Sequence, residues 1–450
     1  MSRGLTDHIA SDLPAAATSQ APVAQREQPA NNKIFAYAAW HSLAWLVFAN
    51  GVGVLIAALL VFPRLNSFLG EWTYGRWMPV HMNLQLYGWC SLPLVAFLFK
   101  VYGADREHAA QWCRPALWVW SSALTVGSIT WLTGHSSGKL FLDWSGYSRA
   151  LFPLALFALW LVLALALFQQ HDTRFRLGKT LGLILLLAVP VLIYIAADPN
   201  LYPPINPDSG GPTGASQLES ALVVVAILLL LPFGLTRRKA GRPWRTTLAW
   251  SVLGIEALLC LGLGRADVSH HRPTQYISLG SLLVWLPLTP IYYGAFEWHP
   301  STRRWRIAFL CWWSILVPTG WTLFLPGVLD HVKFTDGLVA HSLLAMAGFT
   351  SSLLIFVMVQ LLGEEGWIFN RDWSFYLWQG SVAVYIALMG IAGWREGTEP
   401  AFAFTPGLAR NSIYLLRLLL GIFMLAASAE WMTGATKLVR ETAPFQETAQ

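Results

Sequence analysis

The 450-residue sequence is short of charge. Asp, Glu, Lys and Arg together make up 12% of it, against roughly 25% in an ordinary soluble domain. With 55% hydrophobic residues and a mean hydropathy of +0.48, most of the chain avoids water. A soluble enzyme and a nucleic-acid-binding protein are therefore both excluded, and lipid is the natural partner. Cysteine is scarce as well. Cys90, Cys113, Cys260 and Cys311 show no CxxC or CxxCH spacing, which excludes a disulfide frame, a thiolate zinc site and covalently attached heme. All four are read as buried thiols. Residues 1–33 contain no apolar stretch of the kind a signal peptide needs, and their Ala, Pro and Gln content reads as a disordered cytoplasmic tail.

What is there is a succession of apolar segments. A membrane-spanning helix needs about 20 mostly apolar residues. Twelve stretches qualify: 35–62, 76–102, 115–133, 148–169, 179–196, 217–235, 244–264, 274–297, 305–328, 334–362, 374–393 and 411–433. Backbone groups in lipid must bond within their own segment, so each is read as a helix. The expectation is an all-α membrane protein, a bundle of about 12 transmembrane helices over 34–435, followed by a cytoplasmic tail over 436–450. With the N-terminus inside, the inner loops collect Lys33, the cluster Arg237-Arg238-Lys239, and Arg303 with Arg304, whereas the outer loop 198–216 has no Lys or Arg. That bias places both termini in the cytoplasm. Many of the 24 Trp stand at segment ends, among them Trp77, Trp112, Trp131, Trp298, Trp394 and Trp431. This suits interfacial belts and equally suits packing around a flat cofactor. The Gly/Pro/Ser-rich outer loops 134–147 and 198–216 could cap a buried site or dock a partner.

Five of the 11 His fall near one leaflet. His81 and His341 lie a few residues inside the second and tenth segments. His270 and His271 lie just past the seventh, and His331 at the mouth of the tenth. Imidazole is a common ligand of iron and copper, and ionisable groups inside a membrane are usually functional. Two readings fit this depth alone: metal ligation, or hydrogen bonds to neighbouring helices. His41 suits helix packing.

The local sequence resembles the main subunit of the heme–copper oxidases, closest to the C-type class that uses b- and c-type hemes. His81 sits in RWMPVHMNLQLYGW, similar to the second-helix motif in which the His binds the low-spin heme. Thr335-Asp336 followed by His341 resembles the family's T-D-x-x-x-x-H-x-H, whose first His binds the high-spin heme. His270-His271 match the paired ligands of the active-site copper. The resemblance covers about 35–435 and implies b-type heme, one or two, together with copper. It implies electrons accepted at the outer face of a bacterial inner membrane, and oxygen reduced to water. The nitric oxide reductases share the same architecture. It also implies partner subunits carrying cupredoxin or c-type heme centres and a cytochrome c-like donor, because this chain has neither motif.

Three positions depart from the pattern. Leu343 stands where the second His of the tenth helix belongs. The sixth segment has no His, only Gln217 and Glu219 as oxygen donors. Tyr276 is a displaced candidate for the active-site Tyr and equally an interfacial aromatic. These losses leave open a non-catalytic or single-heme electron-transfer module of a respiratory complex. Glu256, mid-membrane, is read as a proton relay or as a carboxyl bonded to a neighbouring helix; Arg417 pairs with a heme propionate or snorkels. A transporter is disfavoured, since no pair of broken helices recurs in matching halves.

Overall fold

The computed structural model describes residues 32–139, 141–170, 175–205, 218–263 and 272–441. His270, His271 and Gln217 lie outside the described residues, as do most of the two expected tails.

Twelve helical rods follow the twelve apolar stretches. They are α1 Asn32–Val61, α2 Tyr74–Tyr102, α3 Ala110–Leu132, α4 Ser148–Gln169, α5 Arg176–Ala196 and α6 Leu218–Leu235. Then come α7 Pro243–Leu263, α8 over 273–293, α9 Arg303–Leu323, α10 Asp336–Phe369, α11 Asp372–Thr398 and α12 Leu408–Glu441. The last helix thus runs past the expected domain end. No β-strand occurs among the described residues; one antiparallel bridge joins Arg238 to Phe296.

Among the described residues, nine of these helices are long and apolar enough to cross a membrane. The other three are α3, α8 and α9. Trp, Ser and Thr lower the hydropathy of α3 and α9, and α8 is broken into 273–280, 281–284 and 285–293. Burial inside the protein does not explain the apolar surface of every one of the nine. In the most apolar stretch of α5 only 11% of residues are buried, and Leu185 is 71% exposed. A helix that apolar and that uncovered is solvated by lipid. The chain is accordingly a helical bundle of the kind found in multi-pass membrane proteins.

α10 occupies the centre, with 67% of its apolar stretch buried. It packs against α9 on one side and α11 on another, and α2 runs beside it. α1 packs along α2 and α12. Two polar threads tie these helices. Gln85 donates to Asn50 Oδ1 at 2.8 Å and Asn50 to Ser428 Oγ at 3.1 Å, joining α2, α1 and α12. Trp89 donates to Ser351 Oγ at 2.8 Å, joining α2 to α10. The tryptophans expected at interfaces divide: Trp112 and Trp394 are exposed, but Trp131 and Trp431 are fully buried, where their indole N–H groups bond Asp143 O and Ser374 Oγ. Cys311 is exposed, unlike the other three thiols.

The loop after α3 folds back over the bundle. Trp144 is fully buried and stacks on Phe152, with centroids 4.4 Å apart. Tyr87 of α2 donates to Phe141 O at 3.0 Å. The buried Asp143 receives the N–H and hydroxyl of Ser137, while desolvation raises its carboxyl pKa. The loop therefore caps the α2 region.

Candidate functional site

α2 and α10 are built to one plan around their histidines. In each, the His is followed three residues later by a π-helical turn, Leu84–Cys90 after His81 and Leu344–Thr350 after His341. A π turn leaves carbonyls without their usual partner and is common at functional sites. A Ser ten residues past each His meets one of them. Ser91 Oγ donates to Leu86 O and Ser351 Oγ to Met346 O, both at 2.9 Å. A Gly seven residues past each His admits a Trp from the preceding helix. A Cβ on Gly88 would lie 2.5 Å from Trp45 Cβ, and one on Gly348 would lie 2.9 Å from Trp312 Cδ2. Eight residues past that Trp, a second Gly faces the imidazole. A Cβ on Gly53 would meet His81 Cε1 at 2.7 Å, and one on Gly320 would meet His341 Cε1 at 3.3 Å. The helix pairs α1–α2 and α9–α10 thus each hold an imidazole in a glycine cradle.

The two imidazoles differ in their partners. His81 Nδ1 donates to Ala49 O at 2.8 Å. That bond fixes the proton on Nδ1 and leaves the lone pair on Nε2, which takes no hydrogen bond among the described residues. It is the arrangement that orients a metal-ligating imidazole. His341 makes no hydrogen bond at all among the described residues, and its Nδ1 is fully buried. A buried polar group without a partner costs about 1–3 kcal/mol. An orphaned imidazole on one helix and a pre-oriented one on another, each in a cradle that a Cβ would fill, fit the donor set of a heme.

Leu343 points elsewhere. It packs with Val339 and Tyr385 onto the buried Ala340, Met389 and Ala392, against α11. Residues two apart on a helix face about 200° apart, so His341 and Leu343 serve different neighbours. Arg417 pairs with protein, its Nε donating to Tyr385 Oη at 2.8 Å and its Nη1 to Asp336 Oδ1 at 3.2 Å. His81 lies within electrostatic reach of the same guanidinium. His331 Nε2 donates to Trp394 O at 3.1 Å, so this imidazole serves helix packing. His41 Nδ1 bonds Ser121 Oγ at 2.8 Å between Trp40 and Trp118, also as a packing residue. Glu219 is exposed at the start of α6. Tyr276 is half-buried, and its carbonyl accepts from Trp321. No group of three metal-ligating side chains occurs among the described residues. Glu256 is buried on α7; its Oε2 accepts from Trp285 Nε1 at 2.5 Å, and its Oε1 has no partner among the described residues.

Sequence reading found both imidazoles but missed their cradles and the partners of Arg417. The signal was present as H-x6-G-x2-S, which reads HMNLQLYGWCS at 81–91 and HSLLAMAGFTS at 341–351. Gly53 and Gly320 follow Trp45 and Trp312 at equal spacing.

Fold and site together define a multi-helical membrane protein with imidazoles presented from separate helices. No protein-family model matches the chain. It is 30% identical over 112 residues to the Cbb3-type cytochrome c oxidase subunit CcoN1 of Stutzerimonas stutzeri. The match covers 23% of this chain and 23% of that protein, so it spans less than a quarter of the relative's length. This partial likeness points toward the heme–copper oxidases and to nothing narrower.

Proposed function

We propose that the chain is the heme-bearing membrane subunit of a respiratory oxidase, with twelve spans, both termini in the cytoplasm, and a place in the bacterial inner membrane. The observation that carries this reading is the unpartnered imidazole of His341, held in a cradle that His81 repeats. His341 would hold a high-spin heme and His81, through Nε2, a low-spin one. A heme supplies an iron that changes oxidation state and, with an axial position open, binds oxygen. The protein's own part is to orient His81 through the Ala49 carbonyl, keep His341 dry, and bring protons through Glu256, whose Oε1 is buried and unbonded. Electrons would enter at the outer face from a partner with a cupredoxin or c-type heme centre. Copper would rest on His270 and His271.

A second reading has a specific observation in its favour. Leu343 is packed into an apolar cluster, so no ligand stands where the family's second low-spin His belongs. On this reading the chain carries one heme and relays electrons within a respiratory complex.

Reduced-minus-oxidised and carbon-monoxide difference spectra of the purified protein, with copper analysis, test both. The oxidase reading expects a carbon-monoxide-reactive heme that His341→Ala abolishes, together with copper. One heme blind to carbon monoxide supports the relay. Absence of heme overturns both.

A further inference from the structure

A second titratable group lies outside the histidine cradles, where α10, α11 and α12 meet. Thr335 caps α10, its Oγ1 accepting from Gly337 N at 3.0 Å. The N–H of Asp336 is taken instead by Glu396 of α11, whose Oε2 accepts it at 2.7 Å. α11 comes this close because two small residues face the junction. A Cβ on Gly393 would collide with the Gly337 backbone, and one on Gly397 with the His331 carbonyl. This glycine pair, four residues apart, is the arrangement that lets membrane helices approach closely. It delivers Glu396 to the N-terminus of α10.

The two carboxyl groups are thus neighbours, that of Glu396 bound to the N–H of the residue that carries the other. Asp336 Oδ1 accepts from Arg417, but Asp336 Oδ2 is fully buried and has no donor among the described residues. Asp336 is only 9% exposed. An ionised carboxylate has no hydrogen to give, and two carboxylates in contact cannot both stay ionised. Other charged and titratable groups near the pair include Tyr74 of α2, Tyr385 of α11, Arg410 and Tyr414 of α12, and His331, whose ring lies against Gly397. None of them donates to Asp336 Oδ2.

We infer that Asp336 and Glu396 share a single proton and, with Arg417, form a buried proton-binding site at the junction of α10, α11 and α12. The proton supplies the missing donor to Asp336 Oδ2. It leaves the pair with one negative charge, which the single positive charge of Arg417 balances. The site uses neither imidazole, and its Arg417 is held by the Tyr385 hydroxyl and the Asp336 carboxyl.

Infrared difference spectra of the full-length protein at neutral pH test it through the carboxylic-acid C=O band, identified by its downshift in deuterium oxide. Subtracting each variant from wild type isolates the band of this pair from other buried carboxyls. Glu396→Gln leaves Asp336 alone with Arg417, and Asp336→Asn leaves Glu396 as the one acid, so either change removes the same band. Survival of the band in both variants, or its loss in only one, overturns sharing. If an amide variant does not fold, wild-type protein labelled with carboxyl-13C aspartate or, separately, glutamate gives the answer. A shared proton shifts part of one pH-titrating band in both samples; a shift in only one overturns the proposal.

Discussion

The two histidine cradles share every spacing yet differ in how firmly they hold their rings. Around His81 the fit is close: hypothetical Cβ atoms on Gly53 and Gly88 fall 2.7 and 2.5 Å from their neighbours, and Ala49 O fixes the tautomer. Around His341 the same positions fall at 3.3 and 2.9 Å, and nothing among the described residues bonds the ring. One plan has produced a pre-oriented imidazole and an uncommitted one. The difference separates two requirements. A ring that must keep one geometry gains from a backbone acceptor behind it. A ring left unbonded in a dry site costs stability until something binds it.

Replacing each ring separates these roles, and the largest effect is expected here. His341→Leu should abolish the carbon-monoxide-reactive spectrum outright. In protein prepared from heme-depleted cells, the same change should be neutral or stabilising by about 1 kcal/mol, because it removes a buried polar group that has no partner. His81→Leu should instead destabilise that protein by about 0.5–1.5 kcal/mol, since the bond to Ala49 O is lost while that carbonyl keeps its place in the α1 helix. Thermal unfolding in detergent reads both. Equal stability losses would show that the two rings are held alike.

The glycines come next. Gly88→Ala drives a methyl into Trp45 Cβ, an atom close to the backbone that cannot swing away. Overpacking of this kind costs typically 1–3 kcal/mol. Gly348→Ala meets the ring of Trp312 at 2.9 Å, and the ring can tilt, so its loss should be the smaller of the two. A reversed order in the thermal midpoints would contradict the tighter first cradle.

Much of this is legible in the amino-acid sequence, and the remainder is hidden there for specific physical reasons. The apolar runs gave the helices, because lipid permits no other backbone solution to a run like Ile184–Leu187. The exact count of spans was less secure: tryptophan lowers hydropathy in α3 and α9 whether it faces lipid or, like Trp131 and Trp313, the interior. His81 and His341 stood out by depth and motif, and the opposed directions of His341 and Leu343 followed from helical periodicity alone. The commitment of Arg417 to Asp336 and Tyr385 was not legible. Those residues are 81 and 32 positions from it in sequence, and only the packing of α10, α11 and α12 brings them together. The cradle glycines were visible as letters, but a Gly in an apolar run has no meaning until a neighbouring ring is seen against it.

The smallest expected effect concerns the serines that close the π turns. Ser91 Oγ meets one carbonyl, Leu86 O, so Ser91→Ala should cost about 0.5–1.5 kcal/mol, the usual net worth of one hydrogen bond. Ser351 Oγ donates to Met346 O and also accepts the indole N–H of Trp89 from α2. Ser351→Ala therefore removes the same carbonyl bond and strands a fully buried donor, adding about 1–3 kcal/mol for an unsatisfied group. The double variant Trp89→Phe with Ser351→Ala should recover that added part, because it removes both partners together. If Ser91→Ala and Ser351→Ala lower the thermal midpoint equally, the Trp89 bond contributes nothing to stability. The two cradles would then be fastened alike below their histidines, and the asymmetry between them would reside in the rings alone.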